Sequence, residues 1–349
     1  MADDKRNILL LSKDDLNAFL KRISAKAYIA NQIYNWIFKK FVFNFDEMLN
    51  ISKDMRAILK SEFYFDLPEI STIQKSNDGT KKYLLKLKDG MFIEMVLIPN
   101  LKKNTVCISS QVGCARNCNF CATAKLGLVR NLTVAEIVGQ ILLVSGDLFP
   151  NKLTNIVFMG MGEPLDNYYN VVESIRFINR EDTLFFSPRR ITISTSGVIP
   201  GIERLANENL NVKLAVSLNS AINEKRDEIM PINTTYPLEK LKNQLLNFRK
   251  KSNFRITFEY IMIANFNMSN SDIKALRKFV GDISCKINLI PWNPVENLPY
   301  KSPSKHEIEN FRNKLSENLN FAITLRNSRG QDIDAACGQL VAKKISRER

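Results

Sequence analysis

The sequence predicts an α/β protein whose main body is a sheet of parallel strands, preceded by a small helical region. Two observations predict it. From residue 105 onward, short β-branched runs alternate with amphipathic helical stretches, as repeated strand–helix units require. Residues 1–69 instead show apolar positions at helical spacing.

In the first region Leu16, Phe19, Leu20 and Ile23 recur at helical spacing, and so do Ile29, Ile33, Trp36 and Ile37. Ser12, three residues before Asp15, is an N-terminal cap signal. Trp36, Phe38, Lys39 and Lys40 interleave aromatic and basic residues. That pattern fits an amphipathic core flanked by solvated lysines better than a base-stacking platform. Next, Thr80–Leu87 and Met91–Ile98 read as strands joined at Asp89-Gly90, a hairpin over residues 70–104. The alternating region follows over 105–349. Its expected strands are Thr105–Ser109, Asn155–Met159, Arg190–Ser194, Val212–Ser217, Arg255–Ile263, Lys286–Pro291 and Ala322–Leu325. Its expected helices are Val134–Leu143, Asn170–Ile178, Leu238–Lys250, Asp272–Val280 and His306–Glu317. Such a sheet can stay open or close into a barrel, and the pattern leaves that choice undecided. The basic tail Lys343–Arg349 reads as frayed.

Composition narrows the class. Hydrophobic residues are 45% and charged residues 25% of the 349, ordinary for a globular chain. The first residues, Met1-Ala2-Asp3-Asp4-Lys5-Arg6, lack the apolar segment of a secretion signal. No stretch approaches the roughly 18 uninterrupted apolar residues of a membrane span. A cytoplasmic protein with no membrane partner is expected. Fifty Lys and Arg against 36 Asp and Glu leave a charge of +14, which suits a polyanionic partner such as nucleic acid as well as a merely solvated surface.

Six cysteines, Cys107, Cys114, Cys118, Cys121, Cys285 and Cys337, point to metal or redox chemistry in a reducing compartment. His306 is the lone histidine, so a metal site must rest on thiolates or carboxylates. Cys114-x₃-Cys118-x₂-Cys121 lies just after a strand, with its three thiols close enough to face one centre. Structural zinc wants a fourth ligand, usually from a second paired knuckle, which is missing here. An iron–sulfur cube usually takes four cysteines, so three leave one iron open to an outside ligand such as S-adenosylmethionine (SAM). A zinc site borrowing Cys107 or Cys337 is the competing reading, with chance clustering behind it.

Several motifs carry a resemblance. Cys114-Ala-Arg-Asn-Cys118-Asn-Phe-Cys121 resembles the cluster loop of radical SAM enzymes. Four more segments are similar to RlmN-type adenine-C2 methyltransferases of ribosomal and transfer RNA: Cys107-Ile-Ser-Ser-Gln-Val-Gly-Cys114, Phe158-Met-Gly-Met-Gly-Glu-Pro164, Ser187-Pro-Arg-Arg190 and Ala335-Ala-Cys-Gly-Gln-Leu340. The likeness runs from about Glu94 to Leu340, and the N-terminal region shares only helical character. It implies a partial (β/α) barrel of parallel strands with a small RNA-binding-like accessory domain at the N-terminus. It also implies one [4Fe–4S] cluster on Cys114, Cys118 and Cys121, and two SAM molecules per turnover. The expected partners are 23S rRNA, tRNA and a low-potential electron donor, and the expected state is a monomer.

The resemblance further implies roles. Cys337 would accept a methyl group and lose a hydrogen to the 5′-deoxyadenosyl radical. Its methylene would join carbon 2 of adenine, Glu94 would remove the C2 proton, and Cys107 would attack the sulfur of Cys337 to release the product. Such a route suits carbon 2, which is a poor nucleophile and leaves the hard step to the cofactor. Gly162, Glu163, Ser194, Ser217, Leu218, Asn219 and Asn293 would contact SAM. The family often has histidine where this chain has Asn219. Arg116, Lys125, Arg130, Arg189 and Arg190 flank the site as phosphate-contact candidates, each also readable as a solvated charge. Glu94, by alternation on one strand face with Phe92 and Val96, is readable equally as an exposed acid. Cys285 reads as structural and His306 as a helix-surface residue. Enzymes that methylate adenine carbon 8 share the two-cysteine logic. Met161-Gly-Glu-Pro164 and Pro291-Trp-Asn-Pro294 favour the carbon-2 type. A zinc-stabilised RNA-binding module without catalysis is the remaining class.

Overall fold

In the computed structural model, which describes residues 5–101, 103–317, 322–326 and 328–340, the chain begins with a helical unit. β1 (Arg6–Asn7), α1 (Lys13–Arg22), α2 (Tyr28–Phe38), α3 (Lys53–Glu62) and β2 (Phe63–Tyr64) form it, and β1 pairs in parallel with β2. The Ser12 hydroxyl accepts the Asp15 amide at 3.0 Å, the cap its sequence predicts. Leu16, Phe19 and Leu20 of α1 and Ile33 and Ile37 of α2 are buried, so the helical spacing marks a core face. Trp36 donates to Asn50 Oδ1 at 2.6 Å and lies under Lys40 Nζ. Phe38 is buried against Phe177 with ring centroids 5.8 Å apart, and Lys39 Nζ donates to Thr183 O at 2.9 Å. Phe38 and Lys39 thus join the helical unit to Phe177 and Thr183, while Lys39 and Lys40 stay exposed, as expected of an amphipathic core flanked by solvated lysines.

Three antiparallel strands follow: β3 (Glu69–Lys75), β4 (Lys81–Lys86) and β5 (Phe92–Asn100). The expected hairpin is β4–β5, its turn at Asp89-Gly90 made with Gly90 at φ 84. β3 is a strand the sequence pattern did not reveal, because all seven of its residues are exposed and it carries no alternation. β6 (Lys103–Cys107) then pairs antiparallel with β5 on one side and parallel with the later β9 on the other. The hairpin is thus continuous with the main sheet.

β7 (Gln111–Gly113) and β8 (Leu128–Asn131) form a short ribbon bracketing the cysteine loop. Alternation then proceeds through α4 (Val134–Leu148), β9 (Asn155–Phe158), α5 (Tyr168–Asn179), β10 (Ile191–Thr195), α6 (Ile199–Ala206) and β11 (Lys213–Ser217). It continues with α7 (Asn223–Ile229), α8 (Ile232–Thr235), α9 (Leu238–Lys251), β12 (Ile256–Met262), α10 (Asn270–Val280), β13 (Cys285–Pro291), α11 (Lys305–Ser316) and β14 (Ile323–Leu325). Each expected strand and helix of this region is present with ends shifted by a few residues. The short α6, α7 and α8 were not expected. Thr133–Glu136, Ser269–Asp272 and Ser304–Glu307 are reciprocal capping boxes that start α4, α10 and α11.

Among the described residues the sheet has ten strands in the order β14-β13-β12-β11-β10-β9-β6-β5-β4-β3, with β14 and β3 at its edges. The undecided choice resolves to an open, partial barrel. β9 to β14 are parallel, and β12 is buried at all seven positions, as a central strand covered on both faces requires. Register places Ser217 beside Glu259 and Glu259 beside Asn288, a polar row crossing three strands. Among the described residues no helix is long and apolar enough to cross a membrane. The tail Lys343–Arg349 lies outside the described residues.

Candidate active site

A cavity of about 140 Å³, partly open to solvent, is walled by Cys114, Cys118 and Cys121, by Gly160, Gly162 and Glu163, by Ser194, Ser217 and Asn219, and by Cys337. The three-cysteine loop leaves β7 through Gly113 at φ +77, where a Cβ would fall 1.8 Å from Gly127 O, so only glycine fits. The Cys114 amide donates to Gly127 O at 2.8 Å, the Cys121 amide to Cys118 O at 3.1 Å and the Asn119 amide to Ile229 O at 3.0 Å. These bonds shape the loop without using a cysteine sulfur.

The donor set fits an iron–sulfur cluster. Burial pushes the Cys114 thiol up to about 12 and lifts the Cys118 and Cys121 thiols as well. Three neighbouring half-buried thiols with raised pKa become thiolates readily beside a strong positive centre, which iron supplies. Among the described residues no group of three or more His, Cys, Asp or Glu side chains closes on a point as one metal ion needs. The three sulfurs line one cavity, and a set of three cysteines leaves one iron of a four-iron cluster open to an outside ligand.

On the neighbouring wall, Gly160 and Gly162 are required by close approach. A Cβ at Gly160 would sit 2.7 Å from Ile108 O, and one at Gly162 (φ +100) 2.6 Å from Gln111 Cβ. Glu163 is 4% exposed. Its Oε2 accepts from Ser196 N at 2.7 Å and Ser196 Oγ at 2.8 Å, and its Oε1 from Leu165 N at 3.1 Å. Burial raises its carboxyl, and the Ser196 bonds oppose the rise. Carboxylate lone pairs remain for a ligand ammonium. Ser194, next to last in β10, and Ser217, the last residue of β11, face the cavity.

The remaining three predicted SAM residues sit differently. Leu218 is buried and does not face the cavity. Its amide donates to Glu259 O at 3.0 Å, so its part is in the turn. Asn219 adopts φ 58, which asparagine tolerates. Its Oδ1 accepts from Ile261 N at 2.9 Å and its Nδ2 reaches Met230 Sδ at 3.2 Å, so both ends of the amide are committed within the protein. Asn293 also does not face the cavity. Its Nδ2 donates to Cys337 O at 3.1 Å and its Oδ1 accepts from Gln331 Nε2 at 2.9 Å, tying it to the C-terminal loop.

That loop is fastened on three sides. Gly338 O accepts from Ala122 N at 2.8 Å, Gln339 Nε2 donates to Pro294 O at 2.8 Å, and Asp332 accepts from Ser76 Oγ at 2.6 Å. Cys107 and Cys337, far apart in sequence, thereby become neighbours. Burial and then the Cys337 sulfur push the Cys107 thiol up to about 12, with Arg326 opposing. Burial raises the Cys337 thiol too, against the pull of Arg326. Cys107 sits behind the cavity wall and Cys337 on it.

Glu94 is 4% exposed on β5, which overturns its reading as an exposed acid. It lies outside the cavity wall, with Oε1 3.6 Å from Lys82 Nζ. Arg116 pairs with Asp166 at 2.6 Å at the cavity edge, and Arg130 pairs with Asp89 and Glu136, while Lys125, Arg189 and Arg190 are exposed. Cys285 is buried at the start of β13 and His306 is exposed on α11, both as expected.

Sequence reasoning missed four buried or lining charges. Arg226 is fully buried and donates to Leu218 O at 3.0 Å, Asn233 Oδ1 at 2.9 Å and Ser196 O at 2.6 Å, locking the loops after β10 and β11. Desolvation pushes its guanidinium down to about 10. Glu259 lines the cavity with Oε1 accepting from Asn288 at 2.9 Å and Oε2 unpartnered. Arg326 lines it nearby, and Lys82 holds Glu94. No spacing marks these four, since only the fold buries them.

Comparisons with known proteins agree with this geometry. Residues 6–64 match the family described as ribosomal RNA large subunit methyltransferase N-terminal domain, and residues 108–280 the radical SAM superfamily. The first match extends the likeness into the helical unit. The chain is 42% identical to the probable dual-specificity RNA methyltransferase RlmN of Flavobacterium johnsoniae, over 99% of each chain. It is 44% identical to the dual-specificity RNA methyltransferase RlmN of Geobacter sulfurreducens, over 95% of this chain and 91% of that one. The crystal structure of a radical SAM methyltransferase from Sphaerobacter thermophilus superposes with a TM-score of 0.91 at 37% identity, covering 96% of this chain and 99% of that one.

Proposed function

The chain belongs to the RlmN family of radical SAM RNA methyltransferases, and from that premise we propose that it methylates carbon 2 of adenine in 23S rRNA and in tRNA through a methyl carried on Cys337. The enzyme uses one [4Fe–4S] cluster and SAM. One observation carries the proposal: Cys337 lines the cavity that also presents Cys114, Cys118 and Cys121, with Cys107 behind that wall and near enough to feel the Cys337 sulfur.

Cys114, Cys118 and Cys121 would hold the cluster, and Gly162, Glu163, Ser194 and Ser217 would hold SAM. Leu218, Asn219 and Asn293 serve the same end by fixing the turns and the carrier loop around it. When bound, the cluster and two SAM molecules supply a methyl group for Cys337 and a carbon radical able to remove a hydrogen atom from that methyl. Cys337 then presents its methylene to adenine C2 and ties enzyme to RNA. Glu94 takes the C2 proton, and the unpaired electron of the adduct would pass to the oxidised cluster. Cys107, as its thiolate, attacks the sulfur of Cys337, forming a disulfide as the sulfur–carbon bond breaks, and the freed carbon takes up a proton to become the methyl group. A low-potential donor in the cytoplasm returns the two thiols before the next cycle. We divide the labour along the chain: residues 1–69 hold RNA, 70–104 extend the sheet and supply Glu94, and 105–349 perform the remaining chemistry as a monomer. The excess of basic residues supports a phosphate-rich partner.

The test is mass spectrometry of nucleosides from 23S rRNA and tRNA treated with reconstituted enzyme and SAM. The expected product is 2-methyladenosine in both RNAs. The carbon-8 isomer, or unmodified RNA from an enzyme that cleaves SAM, would reject the proposal.

A further inference from the structure

Lysine is seldom buried, and an ammonium removed from water needs a charge partner and hydrogen-bond acceptors. Lys82, the second residue of β4, is 8% exposed. Register sets it opposite Val96, so Glu94 is its diagonal neighbour on the same sheet face, within reach of a long side chain. Lys82 Nζ lies 3.6 Å from Glu94 Oε1 and donates to Asp334 O at 3.3 Å. Asp334 adopts a left-handed conformation (φ 51) three residues before Cys337. One ammonium therefore joins the carboxylate of β5 to the backbone of the loop that bears the carrier cysteine.

We propose that Lys82 is a positioning residue for the proton-removal step, aiming the Glu94 carboxylate at the adenine while it is attached to Cys337. The inference rests on Glu94 as the base. In that step the C2–H bond breaks, the proton passes to a Glu94 oxygen, and the bonding electron pair stays on the ring carbon. Lys82 touches no reacting atom. It ties the base and the carrier loop to one fixed point, so the two stay in register when RNA is attached.

The test compares Lys82→Met, Lys82→Arg and Glu94→Gln in reconstituted full-length enzyme with SAM and RNA. A denaturing gel reads the covalent protein–RNA adduct, and first-turnover 5′-deoxyadenosine reads the earlier steps. The Met variant is expected to cut methylated product about a hundredfold, to accumulate adduct as Glu94→Gln does, and to leave first-turnover 5′-deoxyadenosine unchanged. The Arg variant is expected to restore turnover and clear the adduct. Combining Lys82→Met with Glu94→Gln should add nothing to Glu94→Gln alone. A merely structural lysine would lower all steps together and trap nothing. If Glu94→Gln traps adduct and a folded Lys82→Met does not, the role of Lys82 is rejected alone. If Glu94→Gln turns over without adduct, the base assignment fails and takes this role with it. Should Lys82→Met not fold, Lys82→Gln replaces it under the same outcomes.

Discussion

The cluster loop and the C-terminal loop both bring cysteines to one cavity, but they are held in opposite ways. The first packs Cys114, Cys118 and Cys121 into eight residues and carries local bonds from Cys121 N to Cys118 O and from Cys114 N to Gly127 O, besides the remote bond from Asn119 N to Ile229 O. The second carries a single thiol and owes its position to remote partners: Asn293 on Cys337 O, Ala122 on Gly338 O and Ser76 on Asp332. A metal loop can be local because its ligands need only surround a centre. A carrier must meet cofactor, base and resolving thiol in turn, so the whole fold places it.

The largest effect should come from breaking the local loop. Cys118→Ala is expected to yield protein without the cluster's visible absorption and without any SAM cleavage. A coloured, active variant would show that the trio is not the ligand set. Breaking the remote loop at its thiol should separate the two: Cys337→Ala keeps the cluster spectrum and loses all methyl transfer to RNA. Methylated RNA from that variant would remove Cys337 as carrier.

A milder change sharpens the contrast. Asn293→Ala frees Cys337 O and Gln331 from their shared partner. It should cost about 1–3 kcal/mol in stability and lower the methylation rate about tenfold to a hundredfold through misplacement of the thiol, with the cluster spectrum intact. Chemical denaturation and single-turnover rates read both. A wild-type rate would mean that the loop is placed without it.

These differences also decide what the sequence can reveal. The cysteine trio, the Gly160-Met161-Gly162-Glu163 turn and the serines near the ends of β10 and β11 announce themselves by spacing and by their place near strand ends. The side chains of Asn219 and Asn293 do not, because polar groups at strand ends can face a ligand or lock a turn, and here both are bonded within the protein. Arg226, Glu259, Arg326 and Lys82 are silent in sequence for a related reason. A charge is read as solvated until the tertiary fold surrounds it. β3 escaped notice because an exposed edge strand has no apolar alternation to display.

The smallest expected effect concerns one of those silent charges. Burial raises the Glu259 carboxyl, with Arg326 and Asn288 opposing. An acid whose folded pKa is raised costs stability as pH climbs past its ordinary range, where the unfolded chain ionises freely. Glu259→Gln should therefore melt slightly higher than the wild type at about pH 8, and the gain should shrink toward about pH 5. A gain that grows on acidification would contradict that sign.

The most direct measurement of the central claim is peptide mass spectrometry of the reconstituted enzyme after exposure to SAM bearing a labelled methyl group, before any RNA is added. The account predicts one labelled methyl on the peptide containing Cys337 and none on that containing Cys107. A label on another residue, or none in an enzyme that goes on to methylate RNA, would contradict it.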